Sequence, residues 1–168
     1  MPYHTSVLRA SRSRLQSQAA YQAFLDQWPV PYEELTLPTR FGATSVIACG
    51  PSEAPPVMLL HSGDAHEPVW IRNVTMLSKT YRVYVLDVIG ELNKRIRIRP
   101  IRSHRKLMDW MADLFDGLDI ESADLVSSSN GWFFALETAV YLPRQTRKIP
   151  LISVPEDPAF TIQKSLCV

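Results

Sequence analysis

Four short apolar runs, each ended by small or polar residues, mark the middle and the end of the chain. They read PVMLLHSG at 56–63, YRVYVLDVIG at 81–90, ADLVSS at 123–128 and KIPLISV at 148–154. Continuous apolar runs of this length are typical of strands that are buried on both faces of a parallel sheet. The pattern therefore predicts four buried strands in this order.

Helical patterns separate these strands. SHRKLMDWMADLFDG has apolar residues at i, i+3, i+4, i+7 and i+8, with Ser103 as its N-cap and Gly117 as its stop. EPVWIRNVTMLSK has helical length and spacing, and GWFFALETAVYL is apolar on nearly every side. The alternation of strands and helices predicts a doubly wound α/β fold with a mostly parallel sheet and right-handed crossovers.

A helix and a hairpin are predicted upstream of these elements. SRLQSQAAYQAFLDQW has the pattern of an N-terminal helix. Two short strands, about Tyr32–Thr39 and Ala43–Cys49, meet at RFG, where Gly42 is free to adopt a positive φ. We expect three parts in the chain: a helical segment at 1–28, an α/β body at 29–155 and a C-terminal tail at 156–168.

Composition excludes several classes of protein. The 168 residues are 46% hydrophobic and 21% charged, which excludes a disordered polymer, and the net charge of +1 does not steer the whole molecule toward nucleic acid or an anionic membrane. No stretch approaches the roughly 20 apolar residues that span a bilayer. Cys49 and Cys167 are predicted to be free thiols, so we expect a cytoplasmic protein. The basic, acid-free first 25 residues leave import into an organelle as an alternative.

A basic segment at 93–106 raises the alternative of nucleic-acid binding. It holds seven Lys or Arg residues. Acidic residues follow at once and cancel most of the field, and no aromatic residues interleave with the arginines as stacking platforms. We therefore expect a solvated loop and no nucleic-acid partner.

Three consecutive serines, residues 127–129, lie where a predicted strand turns into a predicted helix. A nucleophile elbow places a serine on such a turn with small residues two before and two after it, because strand and helix approach closely there. In two of the three registers a leucine or a valine occupies the upstream position. Ser129 alone has small residues on both sides, Ser127 and Gly131, so it is the predicted elbow residue.

These features together resemble the α/β-hydrolase family, and within it serine hydrolases of the carboxylesterase and lipase kind. The family elbow, usually G-x-S-x-G, is SSSNG here. PPVMLLHSG is similar to the strand that ends in the H-G-G oxyanion segment, and YRVYVLDVIGE to the next strand with its D-x-x-G turn. The resemblance covers roughly residues 30–155 and implies the N-terminal half of such a fold, truncated after the strand that follows the elbow. It also implies the family's strand order, with the run at 57–61 between the runs at 82–87 and 124–128 and with the run at 149–153 outermost.

The resemblance also implies roles for individual residues. Ser129 is the nucleophile position, Asn130 would supply one oxyanion-hole N–H, and the backbone near Ser62 and Gly63 would supply the other. His61 would orient that loop, and Gly131 would support the elbow. A small-molecule acyl substrate is implied, with no cofactor and no metal.

The chain departs from the family pattern beside the elbow and after it. Trp132 occupies a position that the family keeps small, where an indole would crowd the serine hydroxyl, and Ser62 and Ser127 replace glycines. The family's catalytic acid and histidine follow the serine, since a histidine must accept the hydroxyl proton. All four histidines of this chain precede Ser129. His66 is better placed to substitute than His104, but we expect it to be an exposed loop residue.

Asp87, Glu156 and Asp157 follow predicted strands at one edge of the sheet. Without ligand-spaced His or Cys, these carboxylates are expected to cap loops rather than hold a metal.

Three alternatives for function remain open. The chain is an ester hydrolase, a non-catalytic remnant of one, or half of a split enzyme that a partner completes. We expect the 168 residues to be catalytically incompetent alone. Because KIPLISV forms an open apolar edge, we also expect the chain to self-associate through it, to borrow a partner or to be marginally stable.

Overall fold

The computed structural model describes residues 19, 21–23, 25–60, 70–86, 103–128 and 131–152. Its strands are Tyr32–Thr39 (β1), Gly42–Cys49 (β2), Pro56–Leu60 (β3), Arg82–Leu86 (β4), Asp124–Ser128 (β5) and Leu151–Ile152 (β6). Its helices are Ile71–Leu77 (α1), His104–Gly117 (α2) and Trp132–Tyr141 (α3). Residues 19, 21–23 and 25 are also helical, within the predicted N-terminal helix.

The six strands form one sheet in the order β1-β2-β4-β3-β5-β6. β1 and β2 form an antiparallel hairpin and β2 pairs antiparallel with β4, whereas β3, β4, β5 and β6 are parallel neighbours. The predicted arrangement is confirmed, because β3 lies between β4 and β5 and β6 is outermost. The carboxyl ends of β3 and β5 therefore lie side by side, with Leu60 opposite Ser127.

Alternating side chains of the sheet build two apolar layers, as expected for strands buried on both faces. One layer joins Met58, Leu60 and Leu125 to the buried stripes of α2 and α3. The other joins Val57 and Leu59 to α1 and to the N-terminal helical residues. The doubly wound α/β class predicted from the sequence is confirmed.

Long-range polar contacts hold α2 against the hairpin. The guanidinium of Arg40, in the turn between β1 and β2, lies 3.1 Å from Asp109 and 2.8 Å from Asp113. The backbone N–H of Arg40 also donates to Asp113, at 2.8 Å. Gly42 has φ 131°, so the predicted glycine does supply the conformation that the turn requires.

The C-terminal cap of α2 differs from the prediction. Gly117 is its last residue, but the left-handed residue is Asp119, with φ 54°. Asp119 N donates to Asp116 O and Ile120 N donates to Phe115 O, which is the Schellman pattern. The helix therefore ends at Gly117 as predicted, but the left-handed residue of its C-terminal cap is Asp119, whose short polar side chain tolerates this conformation.

β6 covers only part of the predicted strand KIPLISV. Of the described residues of this run, 148–152, only Leu151 and Ile152 have strand structure. The preceding residues run beside β5 without being a strand: Lys148 O accepts from Leu125 N and Pro150 O accepts from Ser127 N. Pro150 has no N–H to donate, which limits regular pairing at this point.

Two further expectations concern cysteines and membrane helices. Cys49 is a buried free thiol, and burial raises its pKa, whereas Cys167 lies outside the described residues. None of the helices in the described part of the chain has the length and apolarity to cross a bilayer.

Candidate active site at the turn between β5 and α3

A very short connection joins β5 to α3. β5 ends at Ser128 and α3 begins at Trp132, with buried Gly131 as its N-cap at φ −62° and ψ −19°. Only residues 129–131 therefore lie between the strand and the helix along the chain. Ser129 and Asn130 themselves lie outside the described residues.

Ser127 lies at the position where an elbow requires a small side chain. It is 0% exposed, and its N–H donates to Pro150 O at 3.1 Å. Alternation along β5 puts its side chain on the same face as Leu125, toward α2 and α3. Its Oγ has no hydrogen-bond partner among the described residues. A larger side chain at 127 would have to displace the packed layer on this face.

The indole of Trp132 packs into the core. Trp132 is 7% exposed, belongs to the layer under α2 and α3, and meets Phe133 edge to face with ring centroids 6.1 Å apart. Its Nε1 has no hydrogen-bond partner within the described ranges. The expectation that this indole crowds the Ser129 hydroxyl stays a prediction, because Ser129 is not described.

The predicted oxyanion segment follows β3. β3 ends at Leu60, and His61, Ser62 and Gly63 come directly after it, outside the described residues. The described carboxyl ends of β3 and β5 lie at the same edge of the sheet, with Leu60 opposite Ser127, and parallel strands carry their ligand sites at this edge. The roles assigned to residues 61–63 and 129–130 stay predictions.

His104 has an acidic partner that no pattern in the sequence indicates. Its Nδ1 lies 3.2 Å from Glu137 Oε2 on α3, and its ring stands edge to face on Phe133 with centroids 5.1 Å apart. The two atoms lie within ion-pair distance, but they do not meet the geometry of a hydrogen bond. Phe133 and Glu137 lie on two successive turns of α3, so the contacts of His104 with both residues clamp α2 and α3 together.

Several other candidates lie outside the described residues: His4, His66, Asp87, Glu156 and Asp157. Most of the basic segment at 93–106 lies outside them too. Within the described part of the chain, no three side chains of His, Cys, Asp or Glu gather closely enough to hold a metal ion.

Comparison with known proteins finds carboxylesterases. The chain is 34% identical over 147 residues to carboxylesterase YbfK of Bacillus subtilis, covering 88% of this chain and 50% of that protein. It is 30% identical over 154 residues to the uncharacterized carboxylesterase nap of the same organism, covering 92% and 51%. The chain thus spans about half the length of these relatives. No family model matches it.

Solved structures give the same result. The crystal structure of carboxylesterase CesB (YbfK) from Bacillus subtilis matches with a TM-score of 0.75 and 32% identity, over 82% of this chain and 48% of that one. Naproxen esterase (carboxylesterase NP) from Bacillus subtilis matches with a TM-score of 0.73 and 30% identity, over 80% and 47%. Both similarities extend through most of the present chain.

Proposed function

Since the chain belongs to the α/β-hydrolase family, we propose that it carries the nucleophile and the oxyanion hole of a serine ester-hydrolase site. Ser129 is the nucleophile, and the backbone N–H groups of Asn130 and of the segment at Ser62 and Gly63 form the oxyanion hole. His61 orients that segment. The substrate class is small carboxylic esters, and the proposed compartment is the cytoplasm, which suits the free thiol of Cys49.

The strand-to-helix turn is the observation that supports this proposal most directly. Only residues 129–131 separate β5 from α3, and the flanking Ser127 and Gly131 are both buried. A nucleophile elbow requires such a short turn with small residues on either side. The carboxylesterase relatives supply the reaction class, ester hydrolysis.

In the proposed reaction Ser129 Oγ attacks the carbonyl carbon of the ester. The alcohol leaves with the serine proton, the acyl group stays on Oγ, and water later releases the acid. The oxyanion hole stabilises the negative charge that develops on the carbonyl oxygen. Within the 168 residues no histidine follows Ser129, and His104 is engaged with Glu137, so the chain provides the site of attack without an evident base.

Acylation by an activated ester tests the position of the nucleophile. After incubation with excess p-nitrophenyl acetate, peptide mass spectrometry is expected to find one acetyl group on Ser129, because acylation by an activated ester needs less base assistance than deacylation by water. Ser129→Ala should lose this acetyl group. The matched control Ser128→Ala, at the end of β5, should keep it. Acetylation of Ser128 that persists in Ser129→Ala would contradict the proposal.

The split-enzyme and remnant alternatives receive support from the outer edge of the sheet. Within the described residues no strand pairs with the outer side of β6. Leu151 and Ile152 are 37% and 44% exposed, so apolar side chains lie at this edge as the described residues leave it. Such an edge favours association with a second copy or with a completing partner.

Self-association through this edge is expected to depend on β6. In sedimentation velocity the chain should form dimers or larger species as its concentration rises. Ile152→Lys should shift it toward monomer, because a charge on an edge strand opposes pairing. Val140→Lys, at a 72% exposed site on α3, is the matched control and should leave association unchanged. A monodisperse monomer that unfolds cooperatively at high temperature would show that the edge needs no partner.

A further inference from the structure

An open groove lies between α1 and the strands β5 and β6, on the face of the sheet away from α2 and α3. Its volume is about 410 Å³, within the range of small-molecule sites. Val57, Val126 and Ile152 contribute apolar surface from the sheet, and Met76 and Leu77 contribute it from α1. Met76 is 67% exposed, so much of this apolar surface is in contact with solvent.

Two cations line the same groove. Arg72 on α1 and Lys148 before β6 are both exposed, and neither has an ion-pair partner among the described residues. The acidic lining residue, Asp124, is already engaged, since its Oδ1 lies 3.1 Å from Arg147 Nε. The groove therefore has a positive charge that the described part of the chain does not neutralise.

We propose that this groove binds a small amphipathic carboxylate, an alkyl or aryl carboxylic acid in its ionised form. The apolar body of the ligand lies on Val126 and Ile152 of the sheet and on Met76 of α1. Its carboxylate accepts charge-assisted hydrogen bonds from Arg72 and Lys148. A neutral ligand of the same shape lacks the negative charge that these bonds require.

The groove runs along the sheet from Val57 and Asp124, near the starts of β3 and β5, to Ile152, which lies opposite Ser128 at the end of β5. Its cations, Arg72 and Lys148, lie on α1 and before β6, and neither has a role in the proposed ester hydrolysis. This inference therefore goes beyond the proposed function and does not depend on it.

Calorimetric titration of the 168-residue chain with octanoate, and with the neutral analogue octanol, tests the proposal. Octanoate is expected to bind at one site per chain and more tightly than octanol. Arg72→Gln with Lys148→Gln should weaken octanoate binding by about three- to tenfold, the effect of two solvent-exposed ion pairs. Arg105→Gln with Lys106→Gln removes two exposed cations from α2, on the other face, and should leave the affinity unchanged.

A second variant separates loss of the groove from loss of the fold. Met76→Glu adds a negative charge at an exposed position of the groove wall, so the protein should unfold as the wild type does while octanoate binding falls. Absence of octanoate binding to the wild type, or binding that the Arg72 and Lys148 double substitution leaves unchanged, would overturn the proposal. A dimer that Met76→Glu dissociates, with no octanoate binding, would instead assign the groove to a second copy of the chain.

Discussion

Steady-state hydrolysis of p-nitrophenyl acetate by the 168-residue chain is expected to proceed no faster than hydrolysis by its Ser129→Ala variant. A serine hydroxyl needs a histidine to accept its proton, and no histidine follows Ser129 in these residues. Loss of the histidine of a catalytic triad lowers kcat by on the order of 10⁶. The residual acceleration of about 10³–10⁴ over water comes from binding and the oxyanion hole, which Ser129→Ala retains.

Initial rates at saturating ester, followed over many turnovers, check this expectation. His104→Gln is the informative companion variant, because His104 has an acid, Glu137, beside it. If His104 is only a clamp between α2 and α3, this variant changes stability and leaves the hydrolysis rate where it was. Multiple turnover that disappears in Ser129→Ala would refute catalytic incompetence, and a parallel loss in His104→Gln would identify the base.

Trp110→Ala is expected to lower the free energy of unfolding by about 4–8 kcal/mol, a large share of the total stability of the protein. Trp110 is 0% exposed, and its Nε1 donates to Thr44 Oγ1 at 2.8 Å, which joins α2 to β2. Truncating a buried tryptophan costs about 3–5 kcal/mol, and leaving a buried hydroxyl without its partner costs about 1–3 kcal/mol more. Domains of this kind have a total stability of about 5–15 kcal/mol.

Urea unfolding followed by circular dichroism measures this effect. Trp110→Phe keeps most of the ring volume but loses the hydrogen bond, so its free energy of unfolding should lie between those of the wild type and Trp110→Ala. Combining Trp110→Phe with Thr44→Val removes both polar partners and should recover part of the loss. A Trp110→Ala protein within about 1 kcal/mol of the wild type would show that the core around α2 collapses to fill the cavity.

Local patterns predicted the elements of this fold where the physical cause is local. The stripe of α2 recurs every turn, and Ser103 caps the helix by accepting from Lys106 N, so neighbouring residues sufficed to place α2 at His104–Gly117. Gly42 likewise marked the hairpin turn. The order of β3, β4, β5 and β6 followed from right-handed crossovers and the family resemblance. For the candidate site, the same reasoning identified Ser129 between two small residues, and its role stays a prediction.

The sequence by itself determined the α/β class and the position of the strand-to-helix turn, because each depends on residues within one element or its connection. The strand order could be predicted only with the family resemblance added, because it depends on which strands pair in space. Only the tertiary structure decided which distant side chains meet: Arg40 with Asp113, Trp110 with Thr44, His104 with Glu137. The existence of the groove also depends on the tertiary structure, because its lining residues come from several separate segments of the chain. Such contacts depend on how helices pack across a twisted sheet, and one sequence contains no periodicity that reports a packing distance.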